Sequence, residues 1–175
     1  MEYKKMRKII NVAAGKEPAD LVLRGAKVLN VFTSSFEKTN VAICEGMIAG
    51  LGRYEGIEEV DLDGKYLVPG FIDSHMHPES SLILPSEYEK AVLPHGTAAV
   101  VADPHEIANV AGLDGIDFMM GLTKDLTLKY YYTMPSCVPA NELEESGAVL
   151  GREELLSYYD DPDVLGLGEI GRAHV

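Results

Sequence analysis

The stretch PGFIDSHMHPESS at positions 69–81 places two histidines directly after an apolar run. Successive side chains of a β-strand point to opposite faces, so His75 and His77, two positions apart, share one face. The nitrogen of a neutral imidazole is a good ligand for Zn, Mn, Fe or Ni. The spacing therefore predicts a metal site at the end of a strand, where the metal would activate water.

The surroundings of the two histidines support this interpretation, although two histidines around a methionine can also be a purely structural pair. The apolar run at 66–73 predicts a strand that is buried on both faces, and the Pro-Glu-Ser-Ser segment at 78–81 begins a loop. The carboxyl end of a strand is where (β/α) barrels carry their catalytic ligands. We therefore favour the metal site.

Charge and cysteine content limit the possible partners and the compartment. The 175 residues include 15 Lys and Arg against 28 Asp and Glu, a net charge of −13, which argues against nucleic acid or an anionic membrane as a partner. Cys44 and Cys137 lie far apart and form no zinc-ribbon pattern, and nothing near Cys137 in the sequence supplies a base. With no export or membrane segment in view, the sequence predicts a cytoplasmic protein with two packing cysteines.

The pattern of apolar residues divides the chain into three segments. Residues 1–15 have the spacing of a short helix, and residues 16–64 contain short β-like runs separated by glycine and polar turns, which predicts a small β-sheet module. Residues 65–175 alternate strand-like and helix-like stretches. The predicted fold class is α/β, with the first four βα units of a TIM-type barrel preceded by the small β-sheet module.

Within the third segment, the repeated units can be placed on the sequence. Strands are expected to begin near Leu67, Thr97, Leu128 and Val164, and helices are expected at 86–93, 113–126 and 152–159.

Polar residues follow each predicted strand, at the rim where a barrel keeps its active site. Glu79, His105 and Glu106 are the candidate catalytic residues. His105 and Glu106 could hold an accessory ion or contact the substrate, or they could belong to a polar turn facing solvent. Glu79 could orient an imidazole that binds metal. Asp103 could instead only cap the segment after Pro104.

Several stretches together carry a resemblance to a known family. The His75-Met-His77 pair after Val68-Pro-Gly-Phe-Ile-Asp73, behind a small β module, resembles the amidohydrolase superfamily. The sequence is also similar to the bacterial and archaeal adenine deaminases in four stretches, which are HPESS at 77–81, VADPHEIAN at 101–109, MPSCVPA at 134–140 and GLGE at 166–169.

This resemblance implies hydrolysis of adenine, a small-molecule purine base, to hypoxanthine and ammonia on a (β/α) barrel. It also implies a binuclear centre of divalent transition metals, commonly Mn(II) or Fe(II). His75 and His77 would be ligands of the first metal, and Glu169 would bridge the two metals. Protein carboxylates would move protons to the leaving ammonia.

The resemblance covers only the N-terminal part of such an enzyme. Family members continue through eight strands, with further histidine ligands on the fifth and sixth strands and an aspartate on the eighth. We expect little or no deaminase activity from this chain alone. Two other hypotheses remain, namely another amidohydrolase such as a cyclic amidase or deacetylase, and a non-enzymatic fragment. Open strand edges predict a homo-oligomer in either case.

Overall fold

A computed structural model of the chain describes residues 3–141 and 143–170 and contains two compact units, of which the first ends at Pro69 and the second begins at Gly70. Both units contain helices and β-sheet, so the fold class is α/β. No helix among the described residues has the length and apolar character needed to cross a membrane.

The first unit is a five-stranded sheet with one helix. Strands β2 and β3 are antiparallel to their neighbours β1 and β2, whereas β4 and β5 run parallel to β1. The strand order is β3-β2-β1-β4, with β5 also pairing with β1. The elements are α1 (Tyr3–Ala13), β1 (Ala19–Asn30), β2 (Ser35–Cys44), β3 (Met47–Leu51), β4 (Gly56–Asp61) and β5 (Tyr66–Leu67).

The core of the first unit lies where α1 meets the sheet. Val12 of α1 is buried in one cluster with Ala19 and Val22 of β1 and with Ala42 and Cys44 of β2. The apolar spacing that predicts the leading helix therefore supplies the side chains that fix it to the sheet.

Two strands of the first unit differ from the expectation. Two separate runs were expected near residues 21–23 and 27–32, but they form one continuous strand, β1, with a register shift between Leu23 and Ala26. Gly25 lies at this irregularity with a φ of +69°, a conformation that glycine tolerates best. Strand β4 was not expected, because its sequence GIEEVD is largely acidic and five of its six residues are exposed.

The second unit is a four-stranded parallel sheet whose strands lie in chain order, β6-β7-β8-β9. A helix lies in each connection between consecutive strands, as parallel strands require a crossover. The elements are β6 (Phe71–Met76), α2 (Pro85–Val92), β7 (Thr97–Ala102), α3 (His105–Thr123), β8 (Lys129–Pro135), α4 (Arg152–Leu155) and β9 (Val164–Gly168).

The core of the second unit joins the two central strands to the longest helix. Val100 of β7 and Tyr132 of β8 are buried in one cluster with Ile116 and Met119 of α3. The Thr123 hydroxyl at the end of α3 lies 2.7 Å from the Tyr132 hydroxyl, in a buried hydrogen bond. These contacts pack α3 against the two central strands.

Three features of this unit differ from the expectation. Tyr66–Leu67 pairs with Lys27–Val28 in the first sheet, so the first strand of the parallel sheet begins at Phe71, and the units divide after Pro69 instead of at 64/65. Strand β6 was expected to be buried on both faces, but it is an edge strand among the described residues and five of its six residues are exposed. Helix α3 has a non-helical residue at Gly112, so that its second segment begins at 113 as expected, whereas its first segment, from His105, was not expected.

Candidate metal centre

The carboxyl ends of the outer strands β6 and β9 bring two imidazoles to one carboxylate. His75 is the fifth residue of β6, His77 follows the strand, and Glu169 follows β9. Oε1 of Glu169 lies 3.4 Å from Nε2 of His77 and 3.9 Å from Nε2 of His75. Each of the three side chains can supply one ligand atom within 4.8 Å of the other two.

The orientation of His77 fits a cation between these groups. Its Nδ1 lies 3.0 Å from the carbonyl oxygen of Asp103 and 3.3 Å from Oε2 of Glu106, so this nitrogen faces two acceptors and must carry hydrogen. In a neutral ring, the lone pair of Nε2 then faces the Glu169 carboxylate, which is unfavourable without a proton or a metal ion between them. A metal-binding histidine commonly donates its other ring N–H to a carbonyl or carboxylate in this way.

Helix α3 brings a third imidazole to the same carboxylate. His105, the first residue of α3, has its Nδ1 3.6 Å from Oε2 of Glu169 and its Nε2 4.0 Å from Sγ of Cys137. His105, Cys137 and Glu169 form a second group of possible metal ligands. The sequence suggested no base near Cys137, and this expectation was wrong, because the segment after β8 places the thiol beside the imidazole of α3.

The two glutamates predicted as catalytic residues hold the turn after β6 against the start of α3. Oε1 of Glu79 accepts a hydrogen bond of 3.0 Å from the backbone N–H of Ile107. Ser80 donates a hydrogen bond of 3.3 Å to Oε1 of Glu106. Glu106 is a carboxylate that lies beside the His77 imidazole, with its Oε2 3.3 Å from Nδ1. Burial raises the pKa of Glu79, whose Oε2 has no hydrogen-bond partner among the described residues.

Asp103, for which the sequence left open a place in the polar segment after β7 or only a capping role, lies beside His77 and Gly168. Pro104 is the N-cap of α3, and the Asp103 side chain makes no hydrogen bond to the described part of the helix, so the capping expectation was wrong. The Asp103 side chain is fully buried, and neither of its oxygens has a hydrogen-bond partner within the described part of the chain. Burial raises the pKa of this carboxyl group, while the nearby histidines oppose the shift. Its position directly after β7, at a strand end where site residues were expected, was the feature of the sequence that could have indicated a place near the site.

The backbone at Gly168 and Glu169 has an uncommon conformation and lies close to Asp103. Glu169 has a φ of +48°, which is uncommon for a residue with a side chain. A Cβ at the preceding Gly168 would lie 2.3 Å from Oδ2 of Asp103, so only glycine fits there without movement. The buried Asp103 therefore lies close beneath the turn that carries Glu169.

Comparison with family models identifies the group of proteins to which this chain is related. Residues 66–166, which contain β6 to the centre of β9, match the model of the amidohydrolase family. The chain belongs to the amidohydrolase family. This match includes His75, His77 and His105 and ends just before Glu169.

Among its curated relatives, the chain is similar to adenine deaminases. It is 51% identical to the adenine deaminase of Geobacillus kaustophilus over 161 residues, which are 92% of this chain and 28% of that protein. It is 50% identical to adenine deaminase 2 of Carboxydothermus hydrogenoformans over 167 residues, 95% of this chain and 29% of that protein. The chain therefore spans less than a third of the length of these relatives.

Solved structures show the same fold at low sequence identity. An atrazine chlorohydrolase from Arthrobacter aurescens TC1, complexed with zinc, matches 84% of this chain and 46% of its own, with a TM-score of 0.57 and 16% identity. A D-aminoacylase matches 67% of this chain and 30% of its own, with a TM-score of 0.52 and 20% identity.

Proposed function

We propose that this chain forms the N-terminal part of a metal-dependent adenine deaminase, which hydrolyses adenine to hypoxanthine and ammonia. The observation that carries the proposal is the meeting of His75, His77 and Glu169 within 4.8 Å, in a chain about half identical to adenine deaminases. The four parallel βα units would be the first half of a TIM-type barrel.

The residues of this chain have defined tasks in the proposal. His75, His77 and Glu169 would hold a divalent metal, which when bound supplies an activated water for attack on the ring carbon bearing the amino group. Glu106 would orient His77 through Nδ1, 3.3 Å away. Glu79, whose pKa is raised by burial, would hold a proton that can pass to the leaving ammonia.

The remaining parts of the proposal concern the metal, the metabolic role and the assembly of the protein. The imidazole and carboxylate ligands suit Mn(II) or Fe(II), and the complete enzyme would hold two such ions with Glu169 between them. The setting would be purine metabolism in the cytoplasm. His105 would lie on the substrate side of the site or hold a metal ion itself. The protein would assemble as a homo-oligomer.

Two alternatives have weaker support. Deacylase chemistry is known here from the names of structural neighbours that are 19% and 20% identical, a level at which the likeness concerns the fold alone. A non-enzymatic fragment would have no need for three histidines arranged around one partly buried carboxylate.

The proposal can be tested with a chimera in which this chain replaces its matching part of the Geobacillus kaustophilus relative. With Mn(II), the chimera is expected to release ammonia from adenine, whereas the isolated chain is expected to release little or none. His77→Ala should abolish the activity and lower the metal content, because it removes a central ligand. His95→Ala is the matched control, since His95 is an exposed histidine just before the amino end of β7, whereas the predicted ligands lie at the carboxyl ends of the strands.

Two results would contradict the proposal. One is a folded, metal-loaded chimera that fails to deaminate adenine although the parent relative does so under the same conditions. The other is a His77→Ala variant that retains the full metal content. This result would show that His77 is not a metal ligand, even if the chimera folds poorly. Circular dichroism of each variant establishes whether it is folded.

A further inference from the structure

We propose that Ser136 is a positioning residue, whose hydroxyl group holds the end of β9 so that the Glu169 carboxylate faces the imidazoles at the end of β6. The inference rests on the proposed function, because Glu169 is a metal ligand only in that proposal. Ser136 lies directly after β8, and its Oγ donates a hydrogen bond of 2.8 Å to the carbonyl oxygen of Gly168. It acts through this backbone contact and not as a ligand.

The end of β9 is held from one side of the sheet within the described part of the chain. There, β9 pairs with β8 and has no second neighbouring strand. The last pair of residues in the two strands is Pro135 and Gly168, and proline has no backbone N–H to donate. The hydroxyl group of Ser136, the next residue, supplies a donor at this point. Its bond therefore joins the two segments at the residue directly before Glu169.

The backbone at this point has little freedom and an unfavourable conformation. Glu169 has a φ of +48°, in the left-handed region, which residues with a Cβ seldom adopt. Such a conformation persists only where neighbouring contacts hold it. Gly168 is buried, and a Cβ there would lie 2.8 Å from Oγ1 of Thr133 and closer still to Oδ2 of Asp103. The hydrogen bond from Ser136 is a contact of the kind that such a turn requires.

The same bond restricts the direction of the Glu169 side chain. The carbonyl group of Gly168 belongs to the rigid peptide plane that ends at the Cα of Glu169. Holding this carbonyl therefore limits rotation about φ of Glu169, and this rotation moves its Cβ. The carboxylate lies 3.4 Å from Nε2 of His77 through Oε1 and 3.6 Å from Nδ1 of His105 through Oε2. A rotated peptide plane would increase one or both of these distances.

Titration of the full 175-residue chain with Mn(II) tests the role, with free Mn(II) followed by electron paramagnetic resonance. Ser136→Ala should weaken Mn(II) binding at least about tenfold, because loss of a group that orients a metal ligand commonly has such an effect. Ser136→Thr retains a hydroxyl donor and should restore most of the affinity.

Ser157→Ala is the matched control in the same unit. Oγ of Ser157 donates a hydrogen bond of 3.1 Å to the carbonyl oxygen of Glu154, in the short helical turn at Leu156–Tyr158 that precedes β9. The variant loses the same kind of bond and should bind Mn(II) as the wild type does. Unchanged affinity in Ser136→Ala, or an equal loss of affinity in Ser157→Ala, would overturn the positioning role.

A double-variant cycle tests whether Ser136 acts through the carboxylate. In a Glu169→Ala chain, the residual Mn(II) binding by the imidazoles should be the same with and without Ser136→Ala, because the group that Ser136 positions is absent. A full effect of Ser136→Ala in that chain would contradict the role.

A metal-free measurement separates this inference from the proposed function. With a chelator present, amide hydrogen exchange at Gly168 and Glu169 should be at least about tenfold faster in Ser136→Ala than in the wild type, and unchanged in Ser157→Ala. If the wild-type chain binds no Mn(II) while exchange rises in this way, the ligand assignment is wrong but the positioning of Glu169 stands. Unchanged exchange in Ser136→Ala overturns the positioning role whatever the metal titration gives.

Discussion

At the scale of single residues, Asp103 carries a carboxyl group that is fully buried and has no hydrogen-bond partner for either oxygen within the described residues. Burial raises its pKa above the ordinary value of 3.8. Between these two pKa values, the folded chain retains a proton that the unfolded chain has lost. The free energy of unfolding therefore falls as the pH rises through this interval.

Asp103→Asn removes this charge and should make the metal-free chain more stable at pH 7 by about 1 kcal/mol, the usual order for a buried unsatisfied group. Its stability should also depend less on pH between 4 and 7 than that of the wild type. Urea denaturation in the presence of a chelator measures both effects. An equal effect of Asp160→Asn, at an exposed aspartate, or a loss of stability in Asp103→Asn, would show that the buried charge is not destabilising.

The residues of the candidate site were predictable where local rules decide their position. The i, i+2 spacing and the strand ends predicted that His75, His77 and Glu169 would lie at one rim, and the structure brings them together. The pairing of Cys137 with His105 was not predictable, because it depends on the path of the backbone after β8. Whether these groups bind metal stays a prediction.

At the scale of secondary structure, helix α3 contains a break at Gly112, whose φ of +62° and ψ of −141° are not helical. An added Cβ there would lie 3.1 Å from Cβ of Ala148. Gly112→Ala should therefore destabilise the chain by about 1–3 kcal/mol, through backbone strain and crowding. The free energy of unfolding in urea measures the change.

Gly121 is the matched control in the same helix. It has no atom within 4 Å of an added Cβ and no positive φ. Gly121→Ala should be neutral or stabilise the helix by up to about 1 kcal/mol, because alanine loses less backbone entropy than glycine. Equal effects of the two substitutions would mean that the break at Gly112 is not required by the fold.

The start of helix α3 could not be predicted fully from the apolar pattern of the sequence. The apolar spacing predicted a helix at 113–126, and the second segment of α3 begins at 113, but α3 also has an unexpected first segment that begins eight positions earlier, at His105. The Asp-Pro-His-Glu segment resembles a turn, and its helical part is held by tertiary contacts such as the bond from Ile107 to Glu79. Strands beginning at Thr97 and Val164 were predicted correctly, because their apolar runs are continuous.

At the scale of the whole molecule, the boundary of the first unit was not predicted correctly, whereas the strand order of the second unit was. The composition of residues 16–64 predicted a small sheet, and the sheet is present, but its fifth strand, Tyr66–Leu67, lies beyond the expected boundary. Pairing between distant segments decides such a boundary, and apolar periodicity does not report it. The order of the four parallel strands followed from the repeated strand–helix pattern.

The outer strand β9 leads to a prediction about the assembly of the isolated chain. Leu165 and Leu167 of β9 are 58% and 52% exposed, and β9 pairs only with β8 among the described residues. Exposed apolar side chains on an edge strand favour association with another copy. The chain should therefore associate with increasing concentration in sedimentation experiments.

The double variant Leu165→Lys/Leu167→Lys should weaken this association at least about tenfold, which corresponds to about 1.4 kcal/mol, because two charges would be placed at the contact. Leu143→Lys is the control, since Leu143 is 95% exposed but lies outside the sheet. A wild-type chain that stays monomeric would contradict the proposed homo-oligomer. If Leu143→Lys weakens the association as much as Leu165→Lys/Leu167→Lys does, the contact does not lie at β9. A contact at this edge would be weakened only by the charges placed in the strand.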